Sequence, residues 1–263
     1  MTKNSFKTIK LEKGEMHVYD LGAIKLHAYK TEDFMSDEVF ILEKNGNFVI
    51  IESPCFFDNI TALEKYLQGK NIAGMLIAYH AAGGTFLPSV PKYATRIAKR
   101  YGEEGGGKAL IDNFVVAFGA LFDSKIHKIE NILNAEEVNI GGINFVITPT
   151  NEAYDILIPE INAVYTHMLG HDCHSIVAGA AHADAIKAQL KDFIANGYAL
   201  ILTSHYTPED LKDAQTKINY LEKLKSVAAN CNDAEQFKKE IKSLYPDYGG
   251  ENYLDMTANM FFA

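Results

Sequence analysis

The 263-residue sequence has no tryptophan, only three cysteines, no low-complexity tract and no linker rich in Pro, Gly or Ser. Cys55, Cys173 and Cys231 are an odd number, lie far apart and include no C-x-x-C pair. Neither a disulfide framework nor a cysteine zinc ribbon is therefore indicated, and a reducing compartment fits best. No apolar run reaches the ~18 residues of a membrane span, and the charged start Met1 to Lys10 lacks the apolar stretch of a secretory leader, so the chain is expected to be cytoplasmic. Positive charge is also scarce. Twenty-five Lys and Arg face 34 Asp and Glu, a net charge of −9, without the positive field that nucleic-acid or membrane-surface binding needs. The expected partner is a small-molecule substrate or ligand. What is present is a globular composition, 48% apolar, in a chain long enough to bury a proper core.

Periodicity supplies the elements. Residues 16–19, 23–29, 39–43 and 48–52 alternate or run apolar, and Asn45-Gly46 between the last two is a hairpin dipeptide, so a β-meander is expected. A helix capped by Asp58 or Asn59 should follow, with Leu63, Tyr66 and Leu67 on one face and Gly69 as its stop. A strand over 74–79 then ends at His80, and Ser89-Val90-Pro91 should open a helix running to Gly102. In the second half, strands are expected over 143–148 and 161–166, with 155–159 between them. A helix through Ile186, Leu190, Phe193 and Ile194 stops at Gly197, and 198–203 is an apolar strand. Thr207 as cap and Pro208 at the first helical position predict a further helix with Leu211, Ile218, Leu221 and Leu224 on its face. A charged helix over 233–244 precedes an aromatic tail, expected to pack back on the domain or to make a homo-oligomer contact. Two such arrays with no boundary between them predict one α/β domain over 1–263, two sheets face to face with helices outside.

Gly102 to Ala109 matches the spacing of a phosphate-binding loop until its last position, where Ala109 stands in place of a Ser or Thr hydroxyl. A helix rather than a strand is expected before it, and Glu103 and Glu104 would repel a phosphate. A flexible loop rimming a pocket is the expectation here. The nine histidines are more informative. His80, His167, His171 and His205 fall at or just beyond expected strand ends, and neutral imidazole is the commonest transition-metal ligand. In the dense stretch His167 to His174, a helix would place His167, His171 and His174 on one face. The plainer alternative is that these rings cap helices or satisfy buried polar groups. Ala81 to Gly84 are small residues at a strand end, able to open space and bring N–H groups to a ligand, or simply to make a tight turn.

The order of these segments, a strand to His80, Thr148-Pro149-Thr150-Asn151-Glu152-Ala153, the strand into His167, and Leu202-Thr203-Ser204-His205 before a capped helix, resembles the metallo-β-lactamase-fold hydrolases. Within that superfamily the wording around Glu152, around Gly170-His171-Asp172-Cys173-His174 and around Ser204-His205-Tyr206-Thr207-Pro208 is most similar to the alkyl sulfatase branch. The resemblance implies a four-layer αββα sandwich with a metal site at one edge of the sheets, cleaving an ester, amide or sulfate with a metal-activated water. The chain also departs from the family. Its His-x-His-x-Asp-His segment would begin at His80, but the other ligand places fall on Ala82, Gly84 and Thr85, so the usual binuclear zinc site cannot assemble. The place of an acidic ligand falls on or beside His167 and Met168, and the second histidine of a His-His pair is Tyr206. The ligands implied for a remodelled mononuclear site, holding zinc or another divalent transition metal, are His80, Glu152, His167, His171 and His205. Asp172 or His174 is the candidate base, and Ala82, Gly83, Gly84, Thr85 and Tyr206 would line the pocket. The expected activity is cleavage of a small ester, lactone or sulfate. The alternative is a catalytically silent, metal-free binding or sensing protein that uses the emptied pocket.

Overall fold

Alternation along the central strands decides the layering. In β4, Phe40 and Leu42 point to one face and Val39 and Ile41 to the other; β5 repeats this with Val49 and Ile51 against Phe48 and Ile50. The computed structural model describes residues 3–262. The chain divides into two units, Met1–Met168 with Leu200–Pro208, and Leu169–Ala199 with Glu209–Ala263.

In the first unit an antiparallel meander, β1 (Lys7–Lys10), β2 (Glu15–Asp20), β3 (Lys25–Lys30), β4 (Glu38–Lys44) and β5 (Asn47–Ile51), is extended by the parallel strands β6 (Asn71–Leu76), β7 (Lys92–Ala94) and β8 (Asn131–Ile132). Asn45 and Gly46 both have positive φ, 52° and 79°, as the expected two-residue turn requires. The second sheet runs β9 (Glu137–Ile140), β10 (Ile143–Pro149), β11 (Tyr154–Ile158), β12 (Ala163–Thr166), β13 (Leu200–Thr203) and β14 (Tyr206–Glu209); β12 and β13 are parallel. The sheets meet face to face. Leu26, Phe40 and Leu42 of one share a buried core with Phe145, Ile156 and Leu202 of the other. Each such side chain contributes about 1.5–3 kcal/mol by leaving water. Val39, Ile41 and Ile50 on the outer face are covered by Ile60, Leu63 and Leu67 of α1 (Phe57–Leu67).

Several boundaries differ from the sequence expectation, each for a local reason. Asn59 does not cap α1. Its side chain is buried and donates to the Tyr29 hydroxyl at 2.9 Å and the Thr31 carbonyl at 2.7 Å. Residues 92–94 pair as β7, and the following helix, α2 (Arg96–Glu104), is capped by Thr95, whose hydroxyl accepts from Ala98 N–H at 3.1 Å. The glycine-rich stretch is not a loop: Gly105 interrupts the helix in an extended conformation and α3 (Gly106–Phe118) resumes at once. Pro208 lies in β14 at the edge of its sheet, where a missing N–H costs no ladder bond.

The second unit holds α4 (Gly179–Asn196), α5 (Leu211–Ala228), α6 (Ala234–Leu244) and α7 (Glu251–Phe261). Asp210, not Thr207, caps α5: its carboxylate accepts from Lys212 and Asp213 N–H, and Asp213 reaches back to the Asp210 N–H at 2.9 Å. The aromatic tail forms α7 and packs within this unit, with Leu254 and Ala258 fully buried and Phe261 stacked on Phe237 at 5.8 Å.

Candidate functional site

Three histidines are carried to one place by strand ends of the first unit. His167 directly follows β12, and His205 follows the parallel β13 by two residues, so both emerge at the same sheet edge. His80 lies four residues beyond β6 and is fixed there by a residue that the sequence did not single out. The Glu52 carboxylate, fully buried at the end of β5, accepts from the N–H groups of Ala78, Tyr79 and His80 at 3.3, 2.7 and 3.0 Å. It also accepts the Tyr165 hydroxyl at 2.7 Å. Its φ of 66° is rare for a residue with a side chain, and the four bonds hold it there.

One nitrogen from each of His80, His167 and His205 lies within 4.8 Å of the other two. His167 Nε2 and His205 Nε2 are 3.2 Å apart, and the His80 ring centre lies 5.3 Å from that of His205 and 5.8 Å from that of His167. Tyr79 stacks on His167 at 4.8 Å. Behind His205 sits a second residue missed from sequence, Asp37. This fully buried carboxylate lies 3.0 Å from His205 Nδ1, beside the Met35 carbonyl at 3.2 Å, and accepts the Cys55 thiol at 3.2 Å. Both neighbours of Nδ1 are acceptors, so Nδ1 carries a proton and, in the neutral ring, the lone pair is on Nε2 towards His167.

The charges follow from this layout. Burial works against an ionised Asp37, yet His80 and His205 outweigh it and hold the carboxyl at about 2. Burial likewise opposes a charge on His205, but the hydrogen bond and charge of Asp37 prevail and raise it above the ordinary histidine value. His167 has part of its surface in solvent, but loss of hydration around its ring, reinforced by His205 and His80, holds it well below the ordinary value. It is a neutral imidazole at physiological pH.

These residues fit a zinc-type ion. Ligand nitrogens at Zn–N distances of about 2.0–2.1 Å stand roughly 3.3 Å apart around a tetrahedral centre, close to the 3.2 Å between His167 and His205. His80 Nδ1 is buried without a hydrogen-bond partner, and such an orphan asks for an explanation. A donor set of imidazoles suits zinc and its transition-metal neighbours rather than magnesium or calcium, which take oxygen ligands.

The other sequence-nominated residues stand elsewhere. Glu152 is exposed beside the Tyr101 hydroxyl and is not one of the converging ligands. Residues 167–178 form no helix, so His167, His171 and His174 share no helical face. His171 lies in the second unit, where Glu209 accepts from its backbone N–H at 2.8 Å and its Nδ1 at 2.7 Å, and Asp213 lies 3.3 Å from Nε2. The bond to Glu209, helped by Asp213, raises its pKa. The ring is held between two buried carboxylates. Asp172 beside it is exposed. His174 is 1% exposed with Nδ1 3.1 Å from the Tyr220 hydroxyl, and burial lowers its pKa.

The small residues after His80 do not leave an open anion cradle. The N–H groups of Gly83 and Gly84 donate to the Asp123 and Lys125 carbonyls, and the N–H and hydroxyl of Thr85 donate to the Asp123 carboxylate at 2.8 and 2.6 Å. A Cβ on Gly84, one of the ligand places, would already be 2.7 Å from the Ile126 carbonyl oxygen, and Ala82 is buried. The tight-turn alternative describes this stretch: at Gly84 the space that a longer side chain would need is filled by the backbone of Lys125 and Ile126. Tyr206, half-buried, opens β14 next to His205.

Comparison with solved structures identifies the fold. The chain matches a metallo-β-lactamase family protein of Thermus thermophilus with a TM-score of 0.61 and 13% identity over 91% of each chain. It matches the stereoselective inverting sec-alkylsulfatase of a Pseudomonas species with a TM-score of 0.60 and 12% identity, covering 95% of this chain and 50% of that one. A metallo-β-lactamase of Erythrobacter litoralis follows at 0.54 and 10% identity, covering 82% and 100%. The chain thus spans about half the length of the alkylsulfatase, and at these identities the likeness is one of fold. No protein-family model and no curated protein matches the sequence. The α/β architecture expected from the sequence is the metallo-β-lactamase fold.

Proposed function

We propose that this protein is a metal-dependent hydrolase that holds one zinc-type ion on His80, His167 and His205 and cleaves a small ester, lactone or sulfate. One observation carries the proposal: three imidazoles from three strand ends converge within 4.8 Å, while the carboxylate behind them orients a ring instead of neutralising the group. A zinc ion, when bound, would polarise the scissile group and lower the pKa of its water to about 7.

The chain's own residues supply the rest. Asp37 and the Met35 carbonyl hold the proton of His205 on Nδ1 and keep Nε2 available, the role that outer carboxylates play for ligating histidines. Glu52 pins the 78–80 backbone and so places His80. Tyr79 packs flat on His167 and limits its rotation. Asp172 and His174 are given no step, since His174 is engaged by Tyr220 and Asp172 lies on the surface of the other unit. The three thiols, all free, are in keeping with a cytoplasmic setting.

Purification without a metal-affinity tag, followed by elemental analysis and a panel of ester, lactone and sulfate substrates, tests the proposal. About one equivalent of zinc and an activity lost in His80→Ala and His167→Ala support it. Absence of metal, with no rebinding and no turnover, would replace it with the metal-free binding protein.

A further inference from the structure

The three converging histidines are held by the backbone in different ways. His80 ends a segment whose N–H groups are bonded to Glu52. His205 lies between β13 and β14, neighbours in one sheet, so a strand closes it on each side. His167 has a strand on one side only. β12 ends at Thr166, paired with Thr203, and residues 167–178 belong to no helix and, apart from a single bridge of Cys173 to Gly249, to no strand.

Charged side chains grip the chain just beyond His167. Four residues on, the His171 N–H donates to Glu209 at 2.8 Å, and Nδ1 of its ring lies 2.7 Å from the same oxygen. Asp213 lies 3.3 Å from Nε2. One turn further along α5, the Lys217 ammonium donates to the carbonyls of Gly170 at 2.7 Å and Cys173 at 3.3 Å. Glu209, Asp213 and Lys217 are all buried. Buried charges of this kind add little stability, since apolar side chains of the same volume would serve as well or better. What they do select is one arrangement, because buried donors and acceptors that lose their partners are costly. Polar groups that lock a loop directly after a ligand histidine therefore serve its placement.

We propose that His171, Glu209, Asp213 and Lys217 are positioning residues, which hold the chain beyond His167 and so keep its ring nitrogen opposite His205. The inference rests on the metal reading of the three histidines. Histidine side-chain NMR of the metal-free protein, followed by zinc titration, tests it. In His171→Ala the ring signals of His167 should move, while the Nδ1 proton of His205, held by Asp37 and the Met35 carbonyl, is kept. Zinc should bind at unchanged stoichiometry but about tenfold more weakly. Lys217→Met, which keeps the bulk of the side chain and releases the two carbonyls, should give the same pattern. Leu190→Ala, a buried position on α4, also lowers stability but should leave the His167 signals and the zinc affinity as they are in the wild type. Unchanged His167 signals and affinity in both loop variants, or equal losses in Leu190→Ala, would overturn the proposal. So would a second zinc equivalent that disappears with His171, which would make the cluster a metal site. A wild type that takes up no zinc would remove the metal reading instead, and the His167 signals would still decide whether these residues place that ring.

Discussion

Two groups of histidine and acid occur in this chain, and they are built on opposite principles. In the first unit, His80, His167 and His205 turn ring nitrogens towards one another, and the carboxylate of Asp37 stands outside, on the far nitrogen of His205. In the second unit, His171 has a carboxylate at each nitrogen, Glu209 at 2.7 Å and Asp213 at 3.3 Å. The first group gathers three imidazole nitrogens with no carboxylate among them, a donor set of the kind that zinc takes. The second also has ligand atoms within 4.8 Å of one another, but both nitrogens of its single ring already face carboxylates, partners that would be costly to separate. The lesson is that proximity of histidine and acid alone does not mark a metal site. What matters is which atoms face inward and which already have partners.

The sharpest way to break the comparison is to remove one ring from each group. His80→Ala should abolish tight metal binding and lower kcat/KM on any substrate found by about 10³-fold or more, while unfolding of the metal-free protein shifts by less than about 1 kcal/mol. His171→Ala should do the reverse: zinc stoichiometry is kept, but two buried carboxylates lose their partner and urea unfolding reports a loss of about 3 kcal/mol. Next in size, Asp37→Asn should weaken zinc binding by about 10–100-fold in calorimetric titration without changing the stoichiometry, because it disturbs the orientation of His205 and not a ligand atom.

The smallest effect is on pH dependence. The raised pKa of His171 means that its contribution to stability is fully present below the ordinary histidine value, about 6.5, and is lost as pH rises through the folded value. Unfolding free energy measured from pH 6 to 9 should therefore fall with pH in the wild type and fall less steeply in His171→Gln.

Most of the first unit's framework could be read from period-two alternation. The strands through Phe40, Val49 and Ile156 are buried as the pattern required, because one face of each had no other place to go. The boundaries that failed were those where a local signal competed with a long-range one. Thr207-Pro208 is a good helix start locally, but the Asp210 and Asp213 reciprocal cap lies three residues on, and the sheet edge takes 206–209. Glycines 105–107 suggested a loop, yet helix on both sides of Gly105 tolerates them. The division into two units has no mark in composition, since its boundaries at 168, 199 and 208 fall within ordinary sequence.

The site was half legible. His80, His167 and His205 could be nominated because each follows an apolar strand, and strand ends are where loops converge. Glu152 entered through local wording, which carries no information on where a side chain points, and His171, counted with the strand-end histidines, lies beyond β12 with the second unit. Asp37 and Glu52 do leave a signal: the acidic pair Asp37-Glu38 precedes the apolar run Val39 to Leu42, and Glu52 directly follows Phe48 to Ile51. An acid in such a place is buried with the strand end and must find partners there, which in this fold are the ring of His205 and the backbone leading to His80.

The most direct test of a metal centre on the three histidines is zinc titration by calorimetry of protein stripped with a chelator, comparing wild type with His167→Ala and His171→Gln. Stoichiometry near one in the wild type and His171→Gln, and no binding in His167→Ala, is the expected result. Zinc bound equally well after His167 is replaced, or no binding by the wild type, would contradict it.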